Sequence, residues 1–409
     1  MLRRSTSDIR RANRLDVLRR IYAAGSATRQ EIARDSELSF ATIANVVNDL
    51  LGCGVIVEGH FEGSGSGRPR AVLVPNAGRG LLVGVDVAET YVHVALFDLA
   101  LQVRHASEHP IGPETNQPDD IAAHIGEAID ALLAEFGASK SDVLGVGVSV
   151  PGQVAPALGV SVFAPGWDWH DVPLLAILQE RIELPVYLDN PLMASTVAEL
   201  WFGAGREADN VICVTVGTGV GAGIAINGSL YRGTTNAAGE WGHSVVVYDG
   251  RSCRCGSRGC VEAYVGAPGV MRTLRELDAD SPLLHGDDQD ATIAALARAA
   301  GDGDPVALEA IRRTAGYLGA GLANLVNILN PEAIVIGSWA GLALGPHLLE
   351  ELREVVARHA LDRPNTAARL HLCDIPGDPV SLGAATFALE GFLDEVLAGA
   401  SRTKSGRSS

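Results

Sequence analysis

Several absences narrow the possibilities at once. Six cysteines in 409 residues are too few for a disulfide scaffold, so a cystine-stapled secreted domain is not expected. No uninterrupted apolar run reaches about 18 residues, the minimum for a membrane span. The basic N-terminus, MLRRSTSDIRR, is not followed by an apolar stretch, which predicts no export signal and a cytoplasmic chain. The length exceeds what one core organises, so two or three folding units are expected, and 47% hydrophobic residues are ample to fill them.

Lysine is missing from the first 75 residues, yet this segment is the basic part of the chain. It holds 11 Arg against 8 Asp and Glu, a balance of +3, while the remainder holds 21 basic against 41 acidic residues. The net charge of −17 therefore hides a basic end on an acidic body, a distribution that suits nucleic-acid binding at the N-terminus or merely a solvated basic face.

Periodicity resolves the basic end into helices and a hairpin. Leu15, Leu18 and Tyr22 form one stripe over residues 13–24, with Gly25 as a stop. Thr28 and Glu31 form a T-x-x-E capping box that opens a short helix. Ser39 then caps FATIANVVNDLL, in which Ile43, Val46, Val47, Leu50 and Leu51 mark a core face. Residues 55–58 and 71–74 read as strands flanking the turn GSGSGRPR. Helix, helix, turn, helix and basic wing is the order of a winged helix-turn-helix over residues 1–75. Its third helix would offer Ser39, Thr42, Asn45 and Asn48 to base edges, with Arg29, Arg68 and Arg70 on phosphates or the minor groove. A small trihelical domain that binds protein shares this pattern.

Residues 76–80 read as a linker. Beyond it, strands alternate with helices: two strands over 81–99, a helix over 119–136, and strands at 143–150, 184–189 and 211–217. A loop at 278–290, a helix at 305–330, a strand at 333–337 and a last helix at about 381–398 follow, with a disordered polar tail from 400. The expectation is an α/β domain with a mixed sheet. A strand, glycine turn and strand recur near Asp86 and Gly217, which suggests two related lobes, 81–189 completed by the last helix, and 190–380.

Three of the six cysteines crowd into eight positions. His243, Cys253, Cys255 and Cys260 form the ligand set of a closed tetrahedral zinc site, with Gly256 and Gly259 letting the chain curl back. Four protein ligands leave no open position, so such a zinc is structural.

These residues also carry a resemblance. Cys253-x-Cys255-Gly256-x-x-Gly259-Cys260-x-Glu262 resembles the signature of the ROK family (repressors, open reading frames, kinases). AGEWGH at 238–243, VPGQV at 150–154, APGW at 164–167 and the GRP wing tip at 67–69 are similar to its other landmarks. The resemblance implies a two-lobed, actin-like ATPase fold, a duplicated ribonuclease H-like unit, with a small sugar or sugar phosphate held in a cleft by Asn190, Glu240, His243 and Glu262. It further implies operator DNA as partner and a homodimer or homotetramer. The kinases place a catalytic Asp where this chain has Pro191; Asp189 is one step away, and Glu199 keeps the downstream register. The phosphate turn D-x-G-x-T reads Asp86-Val-Ala88-Glu89-Thr90, and Gly337-Ser338-Trp339 puts bulk near the adenosine position. A sugar-sensing regulator without kinase activity is the expectation. An active sugar kinase carrying a DNA-binding domain, or a protein-interaction module with a vestigial pocket, are the rivals.

Overall fold

A computed structural model of the chain describes residues 6–62, 70–112 and 114–405. They divide into two compact units, residues 1–202 with 376–409, and residues 203–375. Among the described residues no helix is long and apolar enough to cross a membrane.

The first unit begins with α1 (Thr6–Ala24), β1 (Ala27–Thr28), α2 (Arg29–Asp35), α3 (Phe40–Gly52), β2 (Ile56–Glu62) and β3 (Arg70–Pro75). The capping box forms as expected: the Thr28 hydroxyl accepts from the Glu31 amide while the Glu31 carboxylate accepts from the Thr28 amide. Ser39 caps α3, whose Ile43, Val46, Val47 and Leu50 are buried with Val17, Leu18 and Ile21 of α1. The wing is a three-stranded sheet in the order β1-β3-β2, because Ala27 and Thr28 pair with Leu73 and Val72. Two residues give no usable alternation, so β1 was invisible in the sequence. Arg68 lies outside the described residues.

Next come β4 (Leu81–Val87), β5 (Tyr91–Asp98), β6 (Val103–Pro110), α4 (Pro118–Phe136), β7 (Val143–Ser149), β8 (Gln153–Ala155), β9 (Val160–Ala164), β10 (Trp169–Val172), α5 (Leu174–Arg181), β11 (Val186–Asp189) and α6 (Pro191–Trp201). The main sheet runs β6-β5-β4-β7-β11, the first three strands antiparallel and the last two parallel. In the second unit, β12 (Val211–Val216), β13 (Val220–Ile226) and β14 (Ser229–Leu230) are followed by α7 (Glu262–Val265), α8 (Ala267–Leu277), α9 (Gln289–Gly301), α10 (Pro305–Leu329), β15 (Ala333–Gly337), α11 (Trp339–His359), α12 (Asp362–Ala367) and β16 (Arg369–Leu372). Its sheet, β14-β13-β12-β15-β16, repeats the same order and the same strand senses. The two glycine turns singled out in the sequence join equivalent strand pairs of this duplicated sheet.

The last helix, α13 (Pro379–Ser405), returns to the first unit. It is longer than the sequence pattern indicated, and it extends through the first residues of the tail read as disordered from 400. It lies on the sheet with almost no spacing: a Cβ on Gly84 would sit 1.9 Å from the Ser381 carbonyl oxygen, and one on Gly147 1.8 Å from that of Ala384. Gly383 of α13 meets α6 in the same way, 1.9 Å from the Ala194 oxygen. This packing ties α6 to the first unit, whereas the sequence had assigned it to the second lobe.

The N-terminal helical segment is fastened to the rest of this unit. Tyr22 of α1 donates to the Leu99 carbonyl, and its ring meets Trp201 of α6 edge-on at 5.6 Å. Arg11 bridges to Asp394 at 2.6 Å and Glu390 at 3.2 Å on α13. The linker at 76–80 is pinned: Asn76 donates from its backbone to Val55 and from its side chain to Gly54, both at 2.9 Å, and Arg79 lies over the Phe392 ring.

A methyl group at Gly147 would force α13 off the sheet. Gly147→Ala is expected to cost about 3 kcal/mol, the upper range of overpacking, read as a lower denaturant midpoint. An unchanged midpoint would show that the helix can shift at no cost.

Candidate metal centre and ligand-binding residues

The four metal-ligand candidates converge in the second unit, their donor atoms all within 4.8 Å of one another. Cys255 and Cys260 sulfurs are 3.7 Å apart, as are the Cys253 sulfur and His243 Nδ1. A tetrahedral zinc with Zn–S bonds of about 2.3 Å sets its ligands about 3.8 Å apart, so the cluster has the dimensions of such a cage. The chain can close it only because Gly256 and Gly259 take left-handed conformations, φ +87° and +76°. At Gly259 a side chain has no room, since its Cβ would fall 1.7 Å from the Val247 oxygen. Burial pushes the Cys253 thiol up to about 12, while the Ser257 amide draws Cys255 down.

Arg251 braces the loop from below, a role the sequence did not signal. Its guanidinium donates to the Gly269 carbonyl at 3.0 Å, Thr273 at 3.0 Å and Glu276 at 2.6 Å, and stacks over Tyr264 at 4.8 Å.

The cage orients its neighbours. His243 ends the short turn Glu240–His243. With Nδ1 toward the sulfurs, its Nε2 faces the Glu240 carboxylate at 3.9 Å. Glu262 opens α7 and is buried. One of its oxygens accepts from the Val220 amide at 3.0 Å, and both face Arg254, at 2.9 and 3.3 Å. Glu240, His243 and Glu262 are thus grouped around the cage, and Arg254, the residue between the first two cysteines, already engages one of them. Asn190 stands in the first unit at the N-cap of α6, where it is buried and its side-chain oxygen accepts from the Met193 amide at 2.9 Å.

The residues that depart from the kinase pattern are in defined places. Pro191 is the first residue of α6, where a missing amide hydrogen costs nothing. Glu89 is turned against Gly166, which leaves room for it only by lacking a side chain. The glycine turn 217–219 is covered on two sides: Trp339 Nε1 lies 3.0 Å from where a Cβ on Gly217 would be, and Arg254 Nη2 lies 2.7 Å from one on Gly219. Ser338, at φ +68° and ψ 165°, holds a conformation that suits glycine.

At the other end of the chain, Asn45 and Asn48 are exposed on α3, and Arg70 is exposed at the start of β3. Ser39 is exposed and caps α3 as expected, and its hydroxyl lies 2.9 Å from that of the half-buried Thr42. Arg29 pairs with Glu58 at 3.2 Å and is not a free cation, because β2 places that carboxylate beside it.

The sequence matches the ROK family over residues 82–390. The chain belongs to the ROK family. The first 81 residues lie outside the matched span. A putative xylose repressor from Caldicellulosiruptor sp. (strain Rt8B.4) is 30% identical and spans 94% of this chain and 97% of its own length. A glucokinase from Halalkalibacterium halodurans is 35% identical, but the match spans 74% of this chain and 92% of the glucokinase. A solved ROK family transcriptional regulator, a homologue of the E. coli MLC protein, matches with a TM-score of 0.76 over 95% of this chain and 98% of that one, at 23% identity, which establishes a common fold. The ROK fold of two actin-like lobes preceded by a winged helix is therefore the fold of this chain.

Asp86, on the altered first turn, is buried. Burial first, and the nearby Asp378 second, raise its carboxyl well above the usual range, against a hydrogen bond from Tyr91. An acid raised in the folded state loses stability as pH climbs from its unfolded to its folded value. Asp86→Asn is expected to be neutral below about pH 4 and increasingly stabilising above it, in denaturation curves across pH. A pH-independent difference would contradict this.

Proposed function

We propose that this chain is a sugar-responsive transcriptional repressor of carbohydrate-utilisation genes, whose ROK domain binds a sugar without phosphorylating it. The observation that carries this reading is the extent of the match to xylose repressors, which runs through the winged helix, while the glucokinase match covers about three quarters of the chain. Operator DNA would be bound by two heads of a homodimer or homotetramer, with α3 in the major groove and Asn45, Asn48 and Arg70 among its contacts. Pro191 offers no proton acceptor to an attacking hydroxyl, and Trp339 and Arg254 fill the glycine turn where phosphates would need space. Both features support a sensor over a kinase.

Glu240, His243 and Glu262 of the second unit are the residues grouped to hold a sugar, and Asn190 of the first unit is a further candidate. The donor set and spacing of the cage suit a structural zinc, which would keep the thiolates ionised and fix the imidazole. His243 then presents Nε2 as a hydrogen-bonding group of fixed orientation. A sugar hydroxyl reaching Glu262 must share it with Arg254.

The route to the DNA head runs through α6, about 16 Å long at 1.5 Å per residue. Asn190 caps one end, and Trp201 at the other touches Tyr22 of α1. A sugar that draws on the Asn190 side chain favours one position of α6, and α1 follows through the aromatic contact. The response requires only that sugar bind the two positions with different affinity.

Glu240→Ala is expected to keep operator binding while raising the sugar concentration needed for release at least tenfold; unchanged induction would remove Glu240 from the site. Trp201→Ala should bind both sugar and operator but respond weakly, and full inducibility would refute the α6 route. With Mg-ATP, no hexose or pentose should be phosphorylated at a useful rate. Purified protein should contain one zinc per chain, and chelation should lower the melting temperature by several degrees. Protein free of zinc with unchanged melting would exclude the metal.

A further inference from the structure

The first turn of α3 holds an unexpected side chain. Phe40 is its first residue and is 54% exposed, while Ile43, Val46, Val47 and Leu50 fill the core. Ala41 beside it is exposed as well. The polar residues flanking them are engaged with each other: Ser39 Oγ accepts from the Thr42 amide at 3.2 Å and lies 2.9 Å from the Thr42 hydroxyl. The part of a recognition helix that meets base edges first is its N-terminal turn. Here that turn presents a ring and a methyl group, and its two hydroxyls, though at the surface, are paired with each other. The free amides, Asn45 and Asn48, come one and two turns later.

A single exposed phenylalanine is unremarkable on an ordinary surface. Its place on a helix aimed at the major groove restricts what it can recognise. Of the four bases only thymine presents an apolar group there, its C5-methyl. A ring at this position gains from a methyl partner and gains nothing from the amino or carbonyl edge of another base.

We propose that Phe40, with Ala41, reads thymine methyl groups, so that each operator half-site has a T·A pair under the first turn of α3. The proposal rests on the reading that α3 enters the major groove. Phe40 thereby becomes a specificity-determining residue for DNA, distinct from the asparagines that hydrogen-bond to bases further along.

The test uses the full-length protein and a random duplex library to select the operator. Each thymine of the selected site is then replaced in turn by deoxyuridine, which deletes the methyl group and preserves pairing. For the wild type, one position in each half-site should lose affinity roughly four-fold, the worth of one buried methyl. F40A should bind the thymine operator about as weakly as the wild type binds the deoxyuridine one, and should show no further loss at that position. Sensitivity at other thymines should persist. Because the ring is exposed, F40A should unfold at the wild-type midpoint, and F40L should recover part of the methyl preference. The proposal is overturned if F40A keeps the wild-type deoxyuridine profile, or if no thymine in the half-site responds. A library that yields no preferred sequence would instead overturn the DNA-binding reading. An N48A control that alters the selected site while leaving the deoxyuridine response intact separates the two.

Discussion

The close approach of α13 to the first sheet is the contact on which the rest of the first unit depends. Gly84 and Gly147 are neighbours across β4 and β7, and their missing side chains let the helix backbone rest directly on the strands. From there α13 does several things at once. Gly383 seats α6 against it, Glu395 accepts from the Tyr187 hydroxyl, Glu390 and Asp394 hold Arg11 of α1, and Phe392 lies under Arg79. The last helix of the sequence thus fixes both the helix that bears Asn190 and the first helix of the chain.

A second organising constraint is the four-ligand cluster. Its donors come from a turn and a loop 10 to 17 residues apart in the chain, which the buried Trp241 and Val261 anchor to the core of the second unit. Gly259 lets Cys260 return, and Arg251 ties the loop to α8. The consequence is orientation: His243 is itself one of the four, and Glu262 lies against the cluster, with the Cys253 sulfur 3.6 Å from its carboxylate.

The departures from a phosphate-binding site are consistent with one another in physical terms. Ser338 keeps a backbone conformation suited to glycine and Trp339 packs onto Gly217. Arg254 turns its charge toward Glu262 and its bulk toward Gly219. The turns join equivalent strand pairs of the duplicated sheet, and the side chains of Trp339 and Arg254 lie close against the second of them.

The division of labour between sequence and tertiary structure follows the range of each interaction. Helix boundaries, the Thr28–Glu31 box, the Ser39 cap and the cysteine spacing were legible because each is decided within a few residues. The repeat of the sheet was legible in outline, because buried strands are continuous apolar runs. The two-residue strand β1, the pairing of Arg29 with Glu58, the engagement of Glu262 by Arg254 and the clasp of α1 by α13 were not. Each joins groups whose proximity depends on how the backbone packs, and a carboxylate placed beside an arginine by the fold leaves no mark in the spacing of either. The sequence by itself determined which chemistries the chain possesses, a basic head, a four-ligand cage and a set of hydrogen-bonding groups suited to sugar. Only the tertiary structure decided which of those groups are free to act, because a side chain's availability is set by the neighbours that packing brings to it.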